Sequence, residues 1–116
     1  PKALRQHAHA VAECLEDSDG KVRGEAVKAL STLSLPAVEP HVGAILRLLA
    51  DEDAFARVAV VVAFCKLRLV QLAEEGIGGV VRCLQDRDMN VRRAAKATTY
   101  TILSRGCAKV RSSVVE

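Results

Sequence analysis

Paired carboxylates are the most evident chemical equipment of this chain, and they come in three sets. Asp17 and Asp19 are followed by Arg23, Asp51 and Asp53 by Arg57, and Asp86 and Asp88 by Arg92. Carboxylates this close can serve as a general acid and base, or hold a calcium ion. With Glu52, these six aspartates make up half of the chain's 14 acidic residues. Each set sits at the same place in a longer pattern: Leu15, Leu49 and Leu84 stand two residues before the first aspartate, at offsets of 34 and 35 residues. A catalytic pair has no reason to recur three times. Recurrence at a fixed period marks a repeated unit, in which the acids cap helices.

The other reactive residues give no convergent site. His7 and His41 share one repeat position, eight residues before the signature leucine, and read as helix-start residues rather than metal ligands. Cys14, Cys65, Cys83 and Cys107 are widely spaced, with no C-x-x-C pair. They read as small buried hydrophobes in a reducing compartment, which favours an intracellular, cytoplasmic setting. No G-x-x-x-x-G-K, G-x-S-x-G or H-E-x-x-H motif occurs. The expectation is a protein that is not an enzyme and uses no metal or cofactor.

Composition narrows the class further. At 116 residues there is room for one domain, and half the residues are hydrophobic, mostly Ala, Val and Leu. Phe55, Phe64 and Tyr100 are the only aromatics, too few for a platform on which bases stack. The net charge of +3 does not call for nucleic acid. The longest uncharged apolar run, Val58 to Cys65, is far shorter than the roughly 20 residues a membrane helix needs. Direct membrane insertion is therefore not expected, and no signal peptide is visible.

The elements that position the acids are helices. Ala8, Val11, Ala12 and Leu15 align with Val42, Ile45, Leu46 and Leu49, and with Ile77, Val80, Val81 and Leu84. This i, i+3, i+4, i+7 spacing buries one face of a helix, here called A. Beyond each acidic turn, Val22, Ala26, Ala29, Leu30 and Leu33 align with Ala56, Val60, Ala63, Phe64 and Leu67, and with Val91, Ala95, Thr98, Thr99 and Ile102. These form a second helix, B. Asp19, Asp53 and Asp88 fall where N-caps belong. Pro36 and Pro40 bracket the entry to the second A helix, and Gly76, Gly78 and Gly79 predict a short or frayed third one.

The spacing D-x-x-V-R-x-x-A, seen as Asp19-Val22-Arg23-Ala26 and Asp88-Val91-Arg92-Ala95, resembles the HEAT repeat. Ala37-Val38-Glu39-Pro40, ending eleven residues before Asp51, is similar to the short HEAT-like subclass named after phycobilisome lyases. The resemblance covers residues 4 to 103. It implies an all-α fold, a right-handed α-solenoid of three stacked helical hairpins plus the start of a fourth. It also implies a ladder between successive repeats, with Asp19, Asp53 and Asp88 pairing with Arg23, Arg57 and Arg92. In the middle copy Ala56 and Val60 replace the valine and alanine, while the aspartate and arginine remain. A tetratricopeptide array shares the period, but its tryptophan, glycine-tyrosine and alanine pattern is absent; armadillo repeats are longer. One HEAT-like metalloenzyme class carries His-Glu pairs, whereas His7, His9 and His41 precede Ala8, Ala10 and Val42.

The repeats divide as 3–35, 36–70 and 71–104. Val110, Val114 and Val115 begin a partial fourth over 106–116, as expected of a segment of a longer array. In such folds the B helices line the concave side. Position by position they carry Gly24, Val58 and Arg93; Val27, Val61 and Lys96; Lys28, Val62 and Ala97; and Ser31, Cys65 and Tyr100. The middle helix is apolar all round. The candidate partner surface is therefore Val58, Val61, Val62 and Cys65, edged by Lys28, Arg93, Lys96 and Tyr100. The function expected is a protein-interaction scaffold holding a protein or peptide, with a larger multi-subunit assembly as one setting. A nucleic-acid-binding HEAT-like module is the alternative, with a phycobilisome-lyase-like enzyme behind it; fold analogy alone decides none of these.

Overall fold

Each apolar stripe ahead of a signature leucine folds as a helix that tightens into a 3₁₀ turn. The computed structural model describes residues 2–67 and 75–104, which are helical apart from their turns and contain no strand. In the first unit α1 (Lys2–Glu13) runs into the turn Cys14–Glu16 and is followed by α2 (Gly20–Leu30). In the second, α3 (Leu35–Val38) and a turn at Glu39–His41 lead to α4 (Val42–Arg47), the turn Leu48–Ala50 and α5 (Ala54–Leu67). The third has α6 (Glu75–Arg82), the turn Cys83–Gln85 and α7 (Met89–Ser104).

The three acidic turns are built alike. Asp17, Asp51 and Asp86 adopt extended backbone, and their N–H groups donate to the carbonyls of Cys14, Leu48 and Cys83 at 3.2, 3.1 and 3.1 Å. Two residues on, Asp19, Asp53 and Asp88 cap the next helix. Their Oδ1 atoms accept from the N–H groups of Lys21, Phe55 and Asn90 at 2.9, 2.8 and 2.8 Å. A carboxylate there satisfies donors that have no partner inside the helix and meets its positive end.

Proline does more than bracket the second A helix, since Pro40 lies within the Glu39–His41 turn that separates α3 from α4. It has no N–H to continue an α-helical ladder, so the helix breaks there. The third A helix is short, α6 covering the eight residues Glu75–Arg82. Gly79 within it also permits a close approach, because a Cβ there would lie 2.5 Å from Leu49 Cδ1. The fourth A helix expected over 106–116 lies outside the described residues.

The B helices pack in chain order, α2 along α5 and α5 along α7, while α1 packs on α2 and α6 on α7. The core between the two sets includes Ala8, Leu15, Ala26, Leu30, Ile45, Val60, Phe64, Ile77, Val80, Val91 and Ala95. Gly24 sets the spacing of α2 and α5, since a Cβ on it would fall 2.5 Å from the Phe55 ring. Thr98 Oγ1 donates to the Val61 carbonyl at 3.2 Å, tying α7 to α5.

Candidate functional site

The repeated acids and arginines do form a ladder, but not through the expected aspartates. Arg23 Nε and Nη2 each donate to Asp51 at 2.8 Å. Arg57 Nε and Nη2 donate to Asp86 at 2.9 and 3.0 Å. The rungs therefore use the first aspartate of each pair. Asp53 and Asp88 are excluded because their carboxylates are committed to capping their own helices. Asp19 caps α2 in the same way. The first aspartates repeat as faithfully as the second, so spacing alone could not separate rung from cap.

Arg23 and Arg57 are clamped at both ends of the guanidinium, and Arg92 at one. Nη1 of Arg23, Arg57 and Arg92 donates to the carbonyls of Asp17, Asp51 and Asp86 at 2.7, 2.6 and 2.7 Å. Planar, two-pronged pairing of this kind needs arginine rather than lysine. Burial opposes the charge on Asp51, but the Arg23 guanidinium and the Asp53 N–H outweigh it and hold the carboxyl below its ordinary pKa. Asp86 follows the same balance, with Arg57 and the Asp88 N–H prevailing over burial. The Asp51 hydrogen bond raises the pKa of Arg23. Acids held as carboxylates by arginine are ion-pair partners, not proton donors.

The partner surface expected on the B helices separates into three groups. Val61 is withdrawn from it: at 0% exposure it belongs to the core beneath α7. Helical rotation explains this, since Val27 and Val61 are both fully buried, whereas Lys28 and Val62, one residue on, are exposed. Val62, one residue on, is 39% exposed, Val58 is half-buried and Lys28 is exposed. Arg93, Lys96 and Tyr100 are exposed too, Tyr100 by 74%. They stand on the side of α7 turned away from α5, the side that α2 and α5 bury. The side chain of Cys65 lies outside the described residues.

Two features of this surface went unread in the sequence. Lys28 Nζ lies 4.6 Å from the centre of the half-buried Phe55 ring, a cation–π contact between neighbouring B helices. A cleft of about 460 Å³ opens beside it, lined by Ala54, Phe55, Val58, Asp88 and Asn90. Position 55 aligns with Lys21 and Asn90, so the repeat gave no signal that its aromatic ring would matter.

The remaining candidates supply no chemistry. His9 and His41 bring their rings to 6.0 Å, but among the described residues no three His, Cys, Asp or Glu side chains are placed to hold a metal. Cys83 is buried, and burial pushes its thiol pKa up, which makes it a poor nucleophile. Cys14, at the same repeat position, is exposed rather than buried, because no described helix covers that side of the first unit. A second cleft, about 610 Å³, runs between α4 and α6, with Gly43, Leu46, Gly79, Arg47 and Arg82 along it. Cys83 and Asp86 line it too, but burial raises the thiol's pKa and Arg57 engages both carboxylate oxygens. Among the described residues no helix is long and apolar enough to cross a membrane. The sequence matches no family model and no curated protein.

Proposed function

We propose that the chain is a HEAT-like right-handed α-solenoid segment, part of a longer array, that holds a protein or peptide against its B helices. The fold reading is supported by hairpins that pack in chain order, by the repeated ladder and by the extents of 42 × 28 × 17 Å, the smallest close to two layers of helix. One observation carries the functional reading: Val62 is exposed on the middle B helix, one turn beyond half-buried Val58, which itself follows Phe55 of the Lys28–Phe55 pair by one turn. An apolar side chain left open beside a cleft, with cations at its edge, suits a partner that brings apolar residues and carboxylates. The partner's apolar residues displace water from Val58, Phe55 and Val62. Lys28, beside Phe55, sets its direction.

The test is capture of a partner by the wild-type chain and by Val62→Asp, with helical circular dichroism recorded for both. Loss of binding with unchanged helicity supports the proposal; undiminished binding removes this face from it. A second reading has one observation in its favour, because α2, α5 and α7 carry Glu25 as their single acid against eight Lys and Arg. A nucleic-acid module predicts duplex binding that weakens steeply with salt. The exposed apolar centre favours protein, whose capture should outlast that rise in salt.

A further inference from the structure

The cleft between α4 and α6 lies on the A helices, away from the B layer that carries Val62. On one wall Gly43 and Arg47 stand one turn apart along α4, and on the other Gly79 and Arg82 stand about one turn apart along α6. Arg47 and Arg82 hold the same repeat position, two residues before the signature leucine, so they flank the cleft at one level. Leu46 and Leu49 line it between them. Both arginines are exposed, and among the described residues neither pairs with a carboxylate. Arg82 lies back along α6, its Nη1 3.7 Å from where a Cβ on Gly78 would stand. Asp86 lines the cleft too, but Arg57 closes on both its oxygens, so the charge left open there is positive.

The preceding junction has other residues at the same positions. Where α4 has Gly43 and Arg47, α1 has His9 and Glu13, whose side chains meet at 3.6 Å. An imidazole and an acid thus replace a bare glycine and a cation. Packing does not require the glycine, because a Cβ on Gly43 would meet nothing within 4 Å. Glycine weakens a helix, and here the space it leaves is the mouth of the cleft.

We propose that this cleft takes an acidic peptide segment of a partner protein. Arg47 and Arg82 clasp one carboxylate from the two walls, and an apolar side chain enters over Gly43 and Leu46, about one helical turn away. Guanidinium groups suit a carboxylate because they pair with it in two-pronged fashion. The leucines give the neighbouring apolar side chain a dry place, which a free anion would not use. A volume of about 610 Å³ admits a few side chains rather than a folded surface. The contact is independent of the one proposed on α2 and α5, and its exposed charge pairs weaken with salt.

The probe is a short labelled peptide of Glu-Glu-Leu-Leu repeats, which sets a carboxylate and a leucine on each face of an extended segment. Fluorescence anisotropy should show it binding the wild-type chain, while a Lys-Lys-Leu-Leu peptide does not bind. Arg82→Gln should weaken binding about tenfold, and Arg47→Gln with Arg82→Gln should abolish it. Gly43→Gln fills the mouth without adding charge and should weaken binding comparably. Its urea midpoint should hold or rise, because glycine is the poorer helix former, so that loss is not unfolding. If the midpoint falls instead, the arginine variants decide. Val62→Asp should leave peptide binding unchanged, which separates this cleft from partner binding on the B layer. Failure of the wild type to bind, or binding that the cleft variants leave intact, overturns the proposal. So does co-sedimentation with phosphatidylserine vesicles, lost in Arg82→Gln, in place of peptide binding.

Discussion

The acidic turns and the B helices obey the same repeat and use it in opposite ways. At the turns the copies are alike, and likeness produces structure: a cap from every second aspartate and a rung from Asp51 and Asp86. Along the B helices the copies differ, and the difference decides which residues meet water. Val27 and Val61 are fully buried, whereas Lys96 at the same position is open. Repetition therefore removes the carboxylates from the list of functional groups. Variation between copies is where a binding surface can arise.

The strongest way to break this comparison is to place one charge at two adjacent positions. Val61→Asp buries a carboxylate with no cation beside it, which should cost more than about 4 kcal/mol and leave the chain unfolded. Val62→Asp points at solvent and should cost less than about 1 kcal/mol. Urea unfolding of the two variants checks both. Equal effects would show that α5 has no open side, and would withdraw the B-layer proposal.

The ladder supplies the next largest effect. Arg57 is 4% exposed and holds both Asp86 oxygens and the Asp51 carbonyl. Removing it as Arg57→Ala leaves a half-buried carboxylate without its cation and should cost about 3 kcal/mol. Arg92→Ala, at the same repeat position on the exposed side of α7, should cost below about 0.5 kcal/mol. Chemical denaturation of the two proteins measures the difference. Similar losses would mean that the repeat position, rather than the partner across the junction, sets the energy.

The helices, their faces and the capping aspartates were legible because each rests on local spacing: the 3.6-residue stripe, and a side chain bonding an N–H two residues on. What was misread depends on the neighbouring unit. Asp51 and Asp53 look interchangeable along the chain, and only the position of Arg23 on the preceding unit makes Asp51 the rung. Val61 and Val62 are equally apolar, and only the packing of α7 separates them. Cys14 and Cys83 share a repeat position yet differ in exposure, because a covering neighbour is present for one of them. Gly24 gave no signal and Gly79 only that of a weakened helix start, since a close approach is a property of two helices and shows in neither sequence alone.

Acid should distinguish the two regions by the smallest of these effects. The carboxyls of Asp51 and Asp86 have pKa values below the usual 3.8 in the folded chain. The unfolded chain therefore binds protons first as pH falls, and stability drops with it. The contribution of the rungs is complete above about pH 4 and is lost as pH falls below that value toward the lowered pKa values. A protonated carboxyl still accepts one arginine hydrogen bond, so the loss should be smaller than that of Arg57→Ala. Urea midpoints measured across this range for the wild type and for Asp51→Asn with Asp86→Asn should converge at the acid end. The double variant should show a flatter acid limb, because its rungs have no carboxyl to titrate. An undiminished limb would place the acid sensitivity outside the rungs.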